Sequence, residues 1–554
     1  MKLSVCATFI SLSLLVGCQS TSLTSTDSSD SISTADSSNQ IESTTSSNNN
    51  TAICPVLGIQ PVTVSVSDLW ANGDVITDAY TGNIAQVVNG EITLTPSRHS
   101  GGVLLLESEE EKARFSWDGA TFYHIATDRF FNGNSWNDHS YGRQSTKEGF
   151  QGGDIVGLTK KLDYLAELGV DVVWISAPLE QVHGWLPNKS GNSPEYPYAG
   201  GATLDWTQLD TNMGSEQEMR TFVDLAHQLG MRVMWSVDTA PPTPTLSDLQ
   251  QFSIQPNNPD ALPSYWSEWQ PQEGQNLTHY LDAFKNKNGE IPDWWSEAWM
   301  EENNENAITL PAFFANKPST KVKSSEKTKN EYLAGWMSAW VSEFGIDGFV
   351  VSNSTPELTQ KIEQEGKDAF TLWNKDNAYK ALENASFRVI DLQQQNYFSD
   401  QILSLKSNDE PHCLTKLNAE YVTQSQAEKP SMTRLTWFDG KSLSDSSVGS
   451  VNADNYADYR DAATALLLSP NAVSIWYGDE TAKMGGIYSK MNWNEIKDQR
   501  WSLQSHWKKL IEFRNNHSSI ANGEHQVIKR EPYYAFIRKN ESDSVMVVYT
   551  GEKK

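Results

Sequence analysis

Apolar residues recur along the chain in two periods, and the change falls near Phe115. From Pro55 to about Glu111, short alternating runs at Val62–Val66, Ile92–Pro96 and Val103–Glu107 sit between clusters of Gly, Asn and Pro. Alternation with a period of two turns every second side chain toward a core, so residues 53–114 are expected to form a small N-terminal β domain. Beyond Phe115, apolar strands alternate with helical segments, the pattern of βαβ units around a parallel sheet. Strands are expected at Phe122–Thr127, Val170–Ala177, Met231–Val237, Ile346–Val351, Phe387–Leu392, Gln401–Leu405, Arg434–Phe438 and Ala472–Tyr477. Eight such strands suffice to close a (β/α)8 TIM barrel, here over residues 115–525.

The intervening helices carry their own signals. Ser215 and Glu218 make a capping box, Met219, Phe222, Val223, Ala226 and Leu229 fall at helical spacing, and Gly230 stands where the helix should stop. Leu333, Trp336, Met337, Trp340, Val341 and Phe344 form a second apolar stripe that ends at Gly345. An irregular stretch at about 241–330, after the third strand, carries Trp266, Trp269, Trp294, Trp295 and Trp299 and reads as a subdomain inserted at the catalytic face. Residues 526–554 hold only three short runs, Val527–Lys529, Tyr533–Arg538 and Val545–Tyr549, and are read as a short or truncated C-terminal β region.

The first residues follow neither period. Met1-Lys2 and the apolar run Leu3–Val16 are too short to span a bilayer and read as a signal peptide over residues 1–17. The run ends in Leu15-Val16-Gly17-Cys18, which resembles the bacterial lipobox, so Cys18 is the expected lipidation site; the alternative is an ordinary secretory signal. Gln19 after Cys18 points to the outer membrane. Residues 18–52, dominated by Ser, Thr, Asn and Asp, cannot bury enough apolar surface to fold and are read as a disordered tether. In an oxidising compartment Cys54 and Cys413 are either a disulfide or two buried thiols. The chain has no CxxC, HExxH or Cys/His cluster, so zinc is not expected.

Charge removes one class of partner. With 43 Lys and Arg against 70 Asp and Glu, the net charge is −27, and no basic stripe is present to neutralise phosphates, so nucleic acid is not a partner. The 20 Trp offer flat faces on which sugars stack, with Trp185 and Trp206 as candidates, although a core position is an equal reading for each.

The run Val173-Trp174-Ile175-Ser176-Ala177-Pro178-Leu179-Glu180-Gln181-Val182-His183-Gly184-Trp185 closely resembles the periplasmic α-amylases of Gram-negative bacteria, within the α-amylase family, glycoside hydrolase family thirteen. Tyr123–Arg143, Gly152-Gly153-Asp154, Leu204–Asp210, Gly345–Phe349, Ile475–Glu480 and Met491-Asn492-Trp493 agree with it. The resemblance runs from about residue 54 to the C-terminus and implies a barrel acting on α-1,4-glucan. A retaining glycosidase of this kind needs two carboxyl groups about 5 Å apart at strand ends.

The family's motifs are degenerate here. Its nucleophile, an Asp at the end of strand four, is Ser352; the Arg that fixes it is Val350, and a sugar-binding His is Pro356. The acid/base Glu of strand five aligns with Leu392, and in the third-strand motif Ser236, Ala240 and Pro241 replace Asp, Asn and His. Ala199, Gly201 and Ala202 occupy the substrate-facing region after strand two. Of the family's three carboxylates only Asp439 persists. A relocated set of Asp238, Asp391 and Asp439 is the alternative, although an offset of one residue on a strand turns a side chain to the opposite face. Glu383 or Glu420, from the poorly aligned 380–432, could also be folded back to the site.

The resemblance further implies structural calcium at Asn132, Asn134, Asn137, Asp138, Gly152 and Asp154, a set of hard oxygen donors, against a plain Asn-rich turn. The family's second calcium site loses its Asn to Ala240. The reading that follows is an α-amylase-like lipoprotein that has lost hydrolysis and binds glycans, or serves as a scaffold for an outer-membrane protein partner. Its alternative is an active α-1,4-glucan hydrolase with relocated carboxylates.

Overall fold

Strand Thr121–Ile125 lies within a seven-stranded parallel sheet, with four strands on one side and two on the other, whose order follows the chain around the sheet. Successive neighbours on one side are Val172–Ser176, Arg232–Asp238, Gly348–Ser352 and Arg388–Asp391; on the other lie Ala472–Trp476 and Met432–Arg434. This singly wound order is that of a (β/α)8 barrel. The computed structural model describes residues 59–108, 113–138, 151–181, 203–239, 329–376, 387–392, 414–426, 432–434, 453–481, 503–530 and 533–550, with short pieces at 186–187, 194–195, 483, 488–491 and 493–494. The strand expected at Gln401–Leu405 and most of the stretch 241–330 lie outside the described residues, as do Cys18, Cys54 and Cys413.

The helices obey the local rules that announce them. Helix Glu216–Gln228 begins with the reciprocal capping box of Ser215 and Glu218 and is followed by Gly230 at φ 82°. Met219, Phe222, Val223 and Ala226 are buried in its stripe, whereas Leu229, expected to complete it, is 42% exposed because the helix has ended at Gln228. Helix Lys329–Phe344 buries all six residues of its stripe.

The β regions at the two ends of the chain form one sheet. Its order is Glu524–Arg530, Tyr533–Lys539, Ser544–Tyr549, Val103–Glu107, Val75–Asp78 and Asn83–Gln86. Val103–Glu107 is buried along its whole length and pairs antiparallel with Ser544–Tyr549, from Met546 opposite Leu106 to Tyr549 opposite Val103. A strand buried on both faces needs partners on both edges, and the N-terminal run alone supplies only one.

His517 fastens this junction. Its Nε2 meets Glu107 Oε2 at 2.6 Å and its Nδ1 meets Asp543 Oδ1 at 2.9 Å, so one buried imidazole links strand Val103–Glu107 to the turn before Ser544. Burial alone would lower its pKa, but hydrogen bonds to Asp543 and Glu107 outweigh that and raise it from 6.5 to about 9. A raised pKa means stability that is complete below the unfolded value of 6.5 and lost as pH rises through about 9. Urea unfolding of the wild type and of His517→Gln should therefore show a stability gap that narrows by about 3 kcal/mol between about pH 6 and pH 10. A constant gap would mean that the imidazolium is not what holds the junction.

Candidate active site

Strand parity decides what faces the barrel axis. Phe122, Val172, Trp174, Met234, Val350, Ile390, Met432 and Ala472 pack together inside the barrel. Ile175, Trp235, Val237, Phe349 and Val351 belong instead to the core between strands and helices. By the same alternation Ser236, Asp238 and Ser352 point inward at the C-terminal mouth, and half-buried Leu392 packs against the inner cluster.

The ladder holding these positions is built from the Gly345–Phe349 motif. Asp347, fully buried, accepts from the Val233 amide at 2.8 Å and meets His227 Nε2 at 2.8 Å, which locks strand four to strand three and its preceding helix. At Gly348 a Cβ would lie 2.0 Å from the Arg388 carbonyl, so only glycine lets strand five approach.

Among the described residues, Asp238 and Asp391 do not converge. Asp238 is two residues from Ser236 and keeps the inner face, where Asn353 Nδ2 donates to both its oxygens at 3.0 and 2.9 Å. Asp391 is one residue from Leu392 and takes the outer face. Its buried Oδ2 accepts from Ser354 Oγ at 2.9 Å and Thr359 Oγ1 at 2.7 Å, both at the start of helix Pro356–Asp376. This removes Asp391 from the relocated set. Asp439 and Glu383 lie outside the described residues, and Glu420 falls on helix Leu414–Ser425 rather than at a strand end.

Ser352 closes the end of strand four. Ser352 Oγ is 3.5 Å from the Val237 carbonyl, its own carbonyl accepts from the Thr239 amide, and no hydrogen bond joins its hydroxyl to a histidine among the described residues. A serine nucleophile needs such a base. Deeper in the barrel, His124 stacks on Trp174 with ring centres 3.7 Å apart and meets the edge of Trp476 at 4.4 Å. Burial, then the Arg434 charge, holds its pKa well below the usual histidine range, so the ring is neutral. Its alternation with Phe122 marks it as inward-facing already in the sequence.

Trp206 is corrected. It is 2% exposed, its carbonyl accepts from Trp340 Nε1 at 2.9 Å, and its ring packs in the core rather than facing a sugar. The reason is its strand, Thr203–Leu209, which pairs with Leu179–Gln181 and buries Trp206 and Leu209. Trp185 lies outside the described residues.

The asparagine-rich loop after strand one is closed on itself. Asp154 Oδ1 accepts from the amides of Gly133 at 3.1 Å and Gly157 at 2.6 Å, Oδ2 from the amide of Asn134 at 2.8 Å, and Asn132 Nδ2 donates to Asp138 Oδ2 at 2.7 Å. Buried Asp138 Oδ1 and Asn137 Oδ1 make no hydrogen bond of normal geometry. Burial pushes the Asp154 pKa up, opposed by its amide donors and by Asn137 beside it. Gly152, at φ 86°, lets the backbone reach Asp138, since a Cβ there would stand 2.8 Å from Oδ1.

Comparison with known proteins follows the same lines. The alpha-amylase catalytic-domain family matches residues 124–370. The chain is 34% identical over 570 aligned residues to the periplasmic alpha-amylase of Escherichia coli (strain K12), covering 90% of this chain and 82% of that protein. It is 24% identical to a cyclomaltodextrinase of a Bacillus species, covering 78% and 73%. Among solved structures, a cyclomaltodextrin glucanotransferase aligns over 77% of this chain and 87% of that one, with 16% identity and a TM-score of 0.49.

The two aspartates should separate in a stability assay. Asp391→Ala removes the buried carboxylate that the Ser354 and Thr359 hydroxyls share, leaving them their bonds to each other and to the Thr355 carbonyl, and should cost about 1 to 3 kcal/mol in urea unfolding. Asp238→Ala, at the solvent-facing rim, should stay within about 0.5 kcal/mol of the wild type.

Proposed function

The chain belongs to the α-amylase family and is a carbohydrate-active protein; from that premise we propose that it is a surface-anchored pseudoenzyme that binds α-glucan without cleaving it. The observation that carries this reading is the inner face of strands three to five, where Ser352 and Leu392 stand at the family's nucleophile and acid/base positions and Ser236 at that of its third-strand Asp, while Asp391 is turned to the helices. Retaining hydrolysis needs a nucleophile and an acid/base about 5 Å apart. Asp238 is a single carboxylate, and neutral His124 stands in an aromatic stack below it. Such a mouth can hold a sugar through hydroxyl hydrogen bonds and ring contacts, and among the described residues no second carboxylate joins Asp238 on the inner face of strands three to five.

A second reading, an active α-1,4-glucan hydrolase, is favoured by the 34% identity to a protein named as an alpha-amylase. Reducing-end release from maltooligosaccharides and soluble starch distinguishes the two. The full chain and an Asp439→Asn variant should both stay at buffer level. Turnover that disappears in the variant would establish the hydrolase.

The address proposed for the protein is the outer membrane, reached by cleavage before Cys18 and lipidation of that residue, with residues 18–52 as tether. The similarity to a periplasmic relative supports export, and no helix among the described residues is long and apolar enough to cross a membrane. A disulfide between Cys54 and Cys413 belongs to the same reading, as does an outer-membrane protein partner for the scaffolding variant of it.

Calcium is proposed at the loop of Asn132, Asn134, Asn137, Asp138, Gly152 and Asp154. The unpaired buried oxygens of Asn137 and Asp138 and the raised Asp154 pKa are what a hard cation would relieve. When bound, the ion would tie the loop together and supply no reacting group. Chelation should lower the Tm of the wild type by several degrees and leave Asp138→Asn unmoved; equal shifts would exclude this loop as the site.

A further inference from the structure

The largest exposed apolar side chain among the described residues is Trp136, 91% accessible to solvent. An indole left in water is unusual, since a buried aromatic ring is among the larger gains open to a fold. Trp136 belongs to the loop after strand one, and that loop is tied down. The Trp136 amide donates to Asn134 Oδ1 at 3.1 Å, the Asn137 amide donates to the Asn134 carbonyl at 3.3 Å, and Asp154 accepts from the Gly133 and Asn134 amides. The ring is therefore displayed from a hydrogen-bonded support.

Positive charge stands beside it. Exposed Lys160 donates from Nζ to the Gly133 carbonyl at 2.6 Å, three residues before Trp136. Where the loop begins, the Lys161 ammonium lies over the Phe131 and Trp493 rings, 4.2 and 3.9 Å from their centres. The loop's own carboxylates are engaged: Asp154 is fully buried against backbone amides, and half-buried Asp138 accepts from Asn132 Nδ2. In a chain of net charge −27, cations beside an exposed indole are a local reversal. The other exposed apolar group does not share it. Ile84, 68% exposed, lies opposite Thr77 on the edge strand Asn83–Gln86 with Val75 and Val88 near it, but Asp74 precedes Val75 and Glu91 bridges to Val88.

An indole with an ammonium at its side suits the surface of a phospholipid bilayer. A tryptophan ring settles at the level of the headgroups, with its apolar body toward the acyl chains, and a lysine pairs with the phosphates while its stem lies along apolar surface. One ring and one lysine make a weak contact alone. A lipid on Cys18 would hold the chain at the bilayer, where the high effective concentration makes such a contact count.

We propose that Trp136 and Lys160 form a membrane-contact point through which the folded part of the chain leans on the phospholipid surface that its lipid anchor enters. The inference rests on the lipid-anchored reading given above.

The test removes the anchor. The mature chain, residues 18–554 with Cys18→Ser, is sedimented with vesicles of phosphatidylethanolamine and phosphatidylglycerol, and folding of every variant is checked by its Tm. This parent should bind the vesicles, and Trp136→Ala and Lys160→Gln should each weaken binding about fivefold. Ile84→Ser, which removes an exposed apolar side chain elsewhere, should bind within about twofold of the parent. Undiminished binding by Trp136→Ala, or no vesicle binding by the folded parent, would overturn the contact point. The anchor is read separately, as acyl mass on the wild-type chain, and its absence there would overturn the lipid-anchored reading instead.

Discussion

The parallel ladder through strands Arg232–Asp238, Gly348–Ser352 and Arg388–Asp391 pairs Val351 with Val237 on one side and Asp391 on the other. Because successive side chains alternate, that register turns Val350, Ile390, Ser352 and Leu392 to the axis and sends Asp391 to the helices. A shift of one residue would exchange the two sets, placing a carboxylate in the mouth and Leu392 outside. The register is held by contacts that tolerate little change: Asp347 bonded to Val233 and His227, and Gly348 under the Arg388 carbonyl. The same ladder that preserves the fold therefore keeps Asp391 out of reach of any substrate.

Several residues of the matched motifs hold the fold together. The motif elements that survive are those with structural work visible in the hydrogen bonds. Asp154 caps helix Ile155–Thr159 through the Gly157 amide, Asp347 ties two strands, and Glu480 accepts from Tyr123 and Tyr164 at 2.8 and 2.6 Å.

Much of the barrel was legible from apolar periodicity, since each described strand begins within two residues of its expected start and both marked helices form. What could not be read was pairing between distant parts of the chain. Val103–Glu107 and Ser544–Tyr549 each announce a strand, yet nothing local says that they are neighbours or that His517 pins the junction between Glu107 and Asp543. At the site, the facing of Asp238 and Asp391 depended on offsets of two and one residues from the motif positions, which strand alternation resolves. Trp206 misled because its residue type suits both a sugar platform and a core, and only the strand pairing of Thr203–Leu209 decides between them.

The most direct test of a dismantled active site is covalent. A retaining glycosidase forms a glycosyl ester on its nucleophile, and a 5-fluoro-α-maltosyl fluoride lets that ester accumulate. Intact-mass spectrometry of the full chain after incubation with this reagent should show the unmodified protein, with the intact active relative from Escherichia coli run beside it as the labelled control. A stoichiometric adduct mapped by peptide digestion to Asp238, Asp439 or any other carboxylate would contradict the account and identify the nucleophile.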